Sequence, residues 1–309
     1  MITDKYSELI SYLDKEKIEY LVDEPMSNHT SFRIGGPAKI FVSPRIETFP
    51  ELLQKISKHG INRFVLGKGS NVLFDDEGFD GAVISTLNLD SVDLNGRVIM
   101  CAAGCSLTAL SRFALDNSLS GLSFAYGIPG SVGGAVYMNA GAYNGEISYV
   151  LSGSDYVDTN TFTVHHLGRE EHCFSYRHSS YKDHPERIII SAEFTLKDGD
   201  ANVIKAEMDD FMERRRTKQP LEYPSAGSVF KRYPGRYTAQ MIDEAGLKGA
   251  SVGGAEVSVK HAGFIINKGG ATSGDVKELV ALIEKTIKEK FGIEIEREII
   301  YIGKDGKEN

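Results

Sequence analysis

A glycine-rich, apolar segment from residue 121 to 145 constrains the fold more than any other part of this chain. Its apolar composition is not typical of a flexible linker, and its glycines are too frequent for a regular helix or strand. Glycine loses more conformational entropy on folding than other residues, so a dense run of it indicates close approach of the backbone to another group. The rigid Pro129 indicates a fixed surface. The segment predicts a loop wrapped around a ligand, with tight packing between strands as the alternative.

A second glycine loop, Gly-Lys-Gly-Ser-Asn at 67–71, follows a predicted strand at 63–66. The chain before it reads as strand 38–43 and helix 49–59, which is how a dinucleotide-binding βαβ unit begins. No long helix follows residue 71, so the Rossmann fold is excluded. Glycine permits positive φ, and consecutive N–H groups could then converge on a phosphate. Two such loops fit a dinucleotide held at two places; an ordinary glycine turn at 67–71 is an equal alternative.

The 309 residues are enough for two or three domains, and hydrophobic periodicity places helices and strands throughout. Helices are predicted near residues 6–13, at 107–114 with Ser106 as the cap, at 201–218, at 237–245, and at 275–291 with Ser273 as the cap. Strands are predicted at 81–86, 97–103, 154–159, 161–166, 187–196, 262–267 and 293–302. The mixture predicts an α+β protein.

The charge balance of 35 basic against 43 acidic residues gives −8, which argues against a nucleic-acid or anionic-membrane coating protein. Two basic clusters stand out from this background, one at 214–218 and one at 231–232. They bracket the segment 224–228, and the second cluster lies outside the predicted helix that ends with the first. We interpret them as a diphosphate site, with complementation of the helix dipole as the alternative.

Two further positions could carry chemistry. Arg177 follows Tyr176 in a polar, aromatic loop, where it is either a solvated charge or a two-point clamp on a carboxylate or phosphate. Ser228 lies outside a Gly-x-Ser-x-Gly motif and has no histidine nearby in sequence, so a nucleophile is not indicated. Its hydroxyl is either structural or a proton donor to a strongly basic carbanion.

Metal, disulfide and membrane chemistry are not indicated. The three cysteines form no Cys-x-x-Cys pair and the eight histidines are scattered, so we expect reduced thiols and no metal site. No apolar run approaches the roughly 18 residues of a membrane-spanning helix, and the N-terminus lacks the pattern of a secretory signal. We therefore expect a cytoplasmic protein without a membrane or nucleic-acid partner.

Taken in order, six motifs closely resemble the UDP-N-acetylenolpyruvoylglucosamine reductase family, and the resemblance spans residues 28–302. The motifs are the segment 28–36, the loop 67–71, the segment 127–143, the pair Tyr176-Arg177, the segment 226–231 and Glu298.

The resemblance implies an α+β fold with a two-lobed FAD-binding domain of the vanillyl-alcohol-oxidase/PCMH type and a C-terminal α+β substrate domain. It implies a first FAD-binding lobe at 1–88, to which 299–309 could return, a second lobe at 89–205 and a substrate domain at 206–298. The short chain is similar to the second type of the family, which lacks an extra tyrosine-bearing loop over the substrate.

The resemblance also implies FAD and NADPH as cofactors and reduction of UDP-N-acetylglucosamine enolpyruvate to UDP-N-acetylmuramate in peptidoglycan precursor synthesis, without an obligate protein partner. It gives Arg177 and Glu298 the role of stabilising an enolate-like intermediate and Ser228 that of protonating C2. Substrate-binding residues would be Tyr176, Arg214, Lys218 and Lys231. The FAD-binding residues would be Gly67, Lys68, Gly69, Ser70, Asn71, Gly127, Ile128, Pro129, Gly130, Ser131, Gly133 and Gly134.

One position departs from the family pattern, since some relatives have asparagine where this chain has Arg232 after the lysine. Two other functions remain open at this stage. One is a different FAD oxidoreductase of the same superfamily, acting on a sugar or hydroxy acid. The other is a catalytically idle regulator that binds a flavin or a nucleotide sugar; such a protein would not consume NADPH in proportion to substrate.

Overall fold

The computed structural model describes residues 4–306. Its helices and strands alternate irregularly along the chain, as in an α+β protein. The α-helices are α1 (Asp4–Lys15), α2 (Phe49–Lys58), α3 (Leu107–Asp116), α4 (Val132–Tyr137), α5 (Ala201–Lys218), α6 (Thr238–Glu244) and α7 (Ser273–Phe291). The strands of the first half are β1 (Glu19–Pro25), β2 (Pro37–Ser43), β3 (Asn62–Leu66), β4 (Val72–Phe74), β5 (Phe79–Ser85), β6 (Val92–Asn95), β7 (Val98–Ala102), β8 (Leu119–Ser120), β9 (Gly141–Ala142) and β10 (Gly145–Glu146). Those of the second half are β11 (Leu151–Asp158), β12 (Thr163–Gly168), β13 (Arg187–Thr195), β14 (Lys197–Asp198), β15 (Ser225–Ser228), β16 (Ser251–Val252), β17 (Ala255–Val257), β18 (Phe264–Asn267) and β19 (Ile300–Ile302).

The chain divides into two compact units. Unit 1 comprises the residues up to Leu21, Ile40–Lys68 and Ala82–Arg214. Its main sheet is antiparallel and five-stranded, in the order β12-β11-β13-β7-β6. One apolar core fills this unit, and α2 contributes Leu52, Leu53 and Ile56 to it, as the helical spacing of these residues predicts.

Unit 2 comprises Val22–Lys39, Gly69–Gly81 and the residues from Arg215 onward. Its four-stranded sheet has the order β15-β18-β17-β16, and β19 pairs in parallel with β4. Helix α7 buries a stripe of apolar side chains in a second, separate core, and each contributes roughly 1.5–3 kcal/mol of burial free energy. The stripe consists of Val276, Leu279, Val280, Ile283 and Ile287. The division into domains at 1–88, 89–205 and 206–298 stays a prediction.

A further four-stranded sheet has the order β1-β2-β5-β3. Within residues 4–306 no helix is both long enough and apolar enough to cross a lipid bilayer. The same residues contain no group of three or more His, Cys, Asp or Glu side chains arranged to hold a metal ion.

Three local predictions are wrong. The glycine-rich segment does contain a short helix, α4. The cap of α7 is Thr272 rather than Ser273: Thr272 Oγ1 accepts a hydrogen bond from the N–H of Asp275, and the Asp275 carboxylate accepts one from the N–H of Thr272. Only Ile300–Ile302 of the predicted strand 293–302 is a strand, because the residues before it contact a neighbouring segment through isolated hydrogen bonds and one β-bridge.

Candidate active site

In unit 1, the two glycine loops meet at Gly67 and Ser131. A Cβ atom on Gly67 would lie only 2.1 Å from Ser131 Oγ, so only glycine leaves room for this approach. Ser131 is the N-cap of α4, where its Oγ accepts a 3.4 Å hydrogen bond from the N–H of Gly134. Folding therefore brings together Gly67 and the segment around Ser131, as expected if both face one ligand.

Backbone hydrogen bonds fix the second glycine loop in place. The N–H of Leu107 donates to the carbonyl of Gly130 (3.1 Å), the N–H of Gly133 to that of Ala103 (2.8 Å), and the N–H of Gly127 to Thr108 Oγ1 (3.3 Å). A Cβ on Gly133 would come within 2.9 Å of the Ala103 Cβ. The loop is thus rigid, and it fits a site for a flat or phosphate-bearing cofactor that must lie against bare backbone. Ile128 in this loop is half-buried, and Pro129 and Lys68 are exposed.

The remainder of the first glycine loop, 69–71, belongs to unit 2. The carbonyl of Gly69 accepts a hydrogen bond from the N–H of Ser31 (3.0 Å), and Ser70 is half-buried. Asn71 Nδ2 donates to the carbonyl of Glu298 (3.0 Å), and the N–H of Ile300 donates to the carbonyl of Asn71 (3.0 Å). The Asn71 side chain therefore supports the backbone of Glu298, whatever else the loop binds.

Ser228 and Glu298 come together in unit 2 through the backbone. The register of β15 against β18 shifts between Ser225 and Ser228, and Gly227 within this bulge has φ +75°. The N–H of Glu298 donates to the carbonyl of Val229, the residue after Ser228, at 2.7 Å. Both Ser228 and Glu298 are half-buried. The structure thus places an un-ionised hydroxyl and a carboxyl group on adjacent segments.

Tyr176 and Arg177 form the tip of a tight turn in unit 1. The N–H of Ser175 donates to the carbonyl of His178 and the N–H of His178 to that of Ser175, both at 3.1 Å. Arg177 has φ +57°, a left-handed conformation that is costly for a residue with a side chain. Its guanidinium lies 5.2 Å from the centre of the Tyr176 ring and donates to the carbonyl of Gly141 (3.1 Å). Such strain makes Arg177 a candidate for a functional position.

The basic residues differ in their surroundings. Arg214 is exposed and paired with Asp210 (2.8 Å), and Lys218 is also exposed. Lys231 is half-buried and its Nζ lies 3.0 Å from Glu296 Oε2. Sequence reasoning placed Arg215 in the basic cluster at 214–218 and did not distinguish it from its exposed neighbours, whereas its side chain is buried. It continues the apolar stripe of α5 at helical spacing, and this was the signal that could have identified it.

Comparison with known proteins extends over both units. Residues 219–302 match the family profile described as "UDP-N-acetylenolpyruvoylglucosamine reductase, C-terminal domain", and residues 38–167 match the profile "FAD binding domain". The sequence is 46% identical to the UDP-N-acetylenolpyruvoylglucosamine reductase of Clostridium novyi over 305 residues, 98% of each chain. It is also 46% identical to that of Caldicellulosiruptor bescii, over 94% of this chain and 93% of the relative.

The crystal structure of the Thermus caldophilus UDP-N-acetylenolpyruvylglucosamine reductase superposes with a TM-score of 0.78 at 33% identity, covering 92% of this chain and 98% of that one. The predicted α+β fold with an FAD-binding domain is confirmed. The chain belongs to the UDP-N-acetylenolpyruvoylglucosamine reductase family.

Proposed function

We propose that this protein reduces UDP-N-acetylglucosamine enolpyruvate to UDP-N-acetylmuramate, with FAD as its bound cofactor and NADPH as the reductant, in peptidoglycan precursor synthesis. The observation that carries the proposal is the 46% identity, over almost the entire length of both chains, to a reductase of that name. The same observation favours this reaction over the oxidation of a sugar or hydroxy acid. We place the protein in the cytoplasm, acting on a small molecule without a nucleic-acid, membrane or obligate protein partner.

The glycine loops would hold the flavin. Gly67 and Lys68 would do so with the segment from Gly127 to Gly134, and the space that a Cβ would fill at Gly67 supports close contact of the ligand with backbone. We assign Gly69, Ser70 and Asn71 to the same cofactor, Asn71 through its backbone because its side chain donates to the carbonyl of Glu298. When bound and reduced by NADPH, FAD supplies the hydride that is added to C3 of the enolpyruvyl group.

The catalytic residues would then handle charge and protons on the substrate. Hydride addition at C3 leaves electron density on C2 and the carboxylate. The planar Arg177 guanidinium can meet that carboxylate with two parallel hydrogen bonds, and Glu298, acting through a proton it carries or one on a partner, would stabilise the same charge. The Ser228 hydroxyl would donate its proton to C2, since a carbanion is basic enough to take a proton from an alcohol. Tyr176, Arg214, Lys218 and Lys231 would hold the sugar and diphosphate.

The serine assignment is tested with Ser228→Ala, and Ser225→Ala in the same strand is the matched control. Under anaerobic conditions NADPH should bleach the flavin of both variants at the native rate. Reoxidation by UDP-N-acetylglucosamine enolpyruvate should be about 100-fold slower or worse in Ser228→Ala only, the usual loss on removing a general acid. Native reoxidation in Ser228→Ala, or equal damage to both half-reactions, would refute its role. A colourless protein that does not bind added FAD would refute the whole proposal.

A further inference from the structure

The turn that carries Arg177 is anchored by the side chain of Asn139, a residue outside the turn. Asn139 is fully buried. Its Nδ2 donates to the carbonyl of Ser175 (3.0 Å) and to Glu146 Oε1 (3.1 Å), and its Oδ1 accepts from the N–H of Ser148 (3.0 Å). Both amide hydrogens and the amide oxygen are therefore engaged, which fixes the orientation of the amide group.

Arg177 makes its own contacts with the same short segment. Its Nη1 lies 3.5 Å from the carbonyl of Asn139 and its Nη2 lies 3.1 Å from the carbonyl of Gly141. The backbone at Asn139 is left-handed, with φ +46°, as it is at Arg177. Asparagine tolerates this conformation better than most residues. The segment thus contacts the turn at Ser175 and the guanidinium at its tip, so that a shift of one moves the other.

We propose that Asn139 is a positioning residue for the reductase reaction, holding the Ser175–His178 turn so that the Arg177 guanidinium meets the carboxylate of the substrate. Glu146 acts with it, because by accepting one amide hydrogen it directs the other toward Ser175. The inference rests on the proposed function, since it takes Arg177 as the carboxylate-binding residue. Without the Asn139 side chain, the turn would keep its own hydrogen bonds and lose its fixed direction.

The variant that isolates this contribution is Asn139→Gly, because glycine accepts the left-handed backbone and only the side chain is lost. The matched control is Asn144→Gly, an exposed asparagine with φ +64° in the loop between β9 and β10. Two ligands distinguish a displaced Arg177 from general damage. UDP-N-acetylmuramate carries a carboxylate, whereas UDP-N-acetylglucosamine carries none, and each is titrated calorimetrically into the oxidised, FAD-loaded protein.

We expect Asn139→Gly to weaken binding of UDP-N-acetylmuramate about tenfold, the scale of one charge-assisted hydrogen bond, and to change binding of UDP-N-acetylglucosamine less than about twofold. Asn144→Gly should change neither. In an Arg177→Ala background, Asn139→Gly should cause no further loss, because residues that act through one contact are not additive. Equal weakening of both ligands, native affinity for UDP-N-acetylmuramate, or additive losses would overturn the inference.

Two outcomes separate this inference from its premise. If Arg177→Ala binds UDP-N-acetylmuramate with native affinity, the role proposed for Arg177 fails. If Arg177→Ala binds it weakly and Asn139→Gly does not, only the positioning role fails. Should Asn139→Gly fail to fold, Glu146→Ala takes its place, with the same ligand-selective loss expected. Glu146→Gln, which keeps an oxygen acceptor for the Asn139 amide, should restore native binding; failure of this rescue would also overturn the inference.

Discussion

Replacing Ser154 with alanine should destabilise unit 1 strongly, because this buried hydroxyl links two other buried polar groups. Ser154 Oγ lies 2.7 Å from His172 Nε2 and 2.6 Å from Tyr181 Oη. His172 Nδ1 faces the carbonyl oxygens of Gly168 (2.9 Å) and Arg169 (3.2 Å), which can only accept hydrogen bonds. Nδ1 of the neutral ring must therefore carry the proton and Nε2 must accept. It follows that Ser154 donates to His172 and accepts from Tyr181.

This direction of donation sets the size of each loss. Ser154→Ala leaves the His172 acceptor and the Tyr181 donor without a partner. At about 1–3 kcal/mol for each buried group, the free energy of unfolding should fall by about 2–6 kcal/mol. Tyr181→Phe strands no donor and leaves Ser154 donating to His172, so it should cost only about 0.5–1.5 kcal/mol for the hydrogen bond. Ser152→Ala, a half-buried serine in the same strand, is the control and should cost less than Ser154→Ala.

The assay is urea denaturation of the FAD-loaded proteins at neutral pH, followed by circular dichroism, with the three variants compared to the native chain under identical conditions. The expected order of midpoints is native, then Tyr181→Phe, then Ser154→Ala at the lowest urea concentration. If Tyr181→Phe were as costly as Ser154→Ala, the deduced direction of the hydrogen bonds would be wrong. A native midpoint for Ser154→Ala would refute the reasoning altogether.

Three further predictions concern pH, the flavin loops and the support of the glutamate. Burial lowers the pKa of His172 and of His261 below the unfolded value near 6.5. The stability that each histidine gives is therefore complete above pH 6.5 and falls as the pH drops toward the lowered pKa, by at most about 1.4 kcal/mol per pH unit for each. Urea midpoints that stay constant from pH 7.5 to 5.5 would contradict this. Gly67→Ala should raise the Kd for FAD, measured by flavin fluorescence. Adding Ser131→Gly should recover part of the lost affinity, because it removes the Oγ that would clash with the new Cβ. Additive losses of affinity would argue against the close approach of Gly67 and Ser131. Asn71→Ala should slow reoxidation of the flavin by substrate at unchanged FAD content, because it removes the hydrogen bond to the backbone of Glu298, the predicted catalytic glutamate. A loss of FAD with normal reoxidation would instead assign the Asn71 side chain to the cofactor.

Elements with a long amphipathic repeat could be predicted from the sequence. Helix α5 has the bounds that its periodicity predicts. Helix α2 and strand β13 each end one residue before the predicted position, and strand β11 begins three residues before its predicted start. Such a repeat fixes which face is buried before any partner is known, so local sequence and tertiary packing agree.

The predicted strand at 293–302 shows why the same reasoning fails elsewhere. Its alternation of isoleucine and glutamate is real, and Ile293 and Ile295 do pack against the core of unit 2 while Glu294 and Glu296 are exposed. A strand also requires a neighbour with a continuous ladder. Here the N–H of Lys231 donates to the carbonyl of Glu296 beside a single β-bridge, and a regular ladder forms only from Ile300. The alternating pattern predicts which face of the segment is buried, whereas strand pairing depends on a segment that is distant in the sequence.

The candidate site also has features that the sequence predicts and features that it does not. The residues that we propose to contact ligand were predicted from unusual local composition, as at Gly67 and in the loop around Ser131, and their role in binding stays a prediction. Asn139 lies in the glycine-rich segment and Arg215 in the basic cluster, but composition does not predict the hydrogen bonds of the first or the burial of the second, because both depend on the folded structure.

Two non-glycine residues with a left-handed backbone show how a local conformation depends on contacts formed in the fold. Arg177 and Asn139 both adopt positive φ without being glycine. The strain is roughly 1–3 kcal/mol at Arg177 and smaller at Asn139, because asparagine tolerates this conformation, and the surrounding hydrogen bonds must offset it. Glycine at Arg177 would remove the strain and also the guanidinium. Because the strain at Arg177 is tied to its side chain, an exchange that keeps the charge, Arg177→Lys, should retain the folded turn and still lose the planar two-point contact. Reoxidation of the flavin by substrate should then slow while urea stability stays close to native, and a native rate of reoxidation in this variant would show that the strained turn serves something other than a carboxylate.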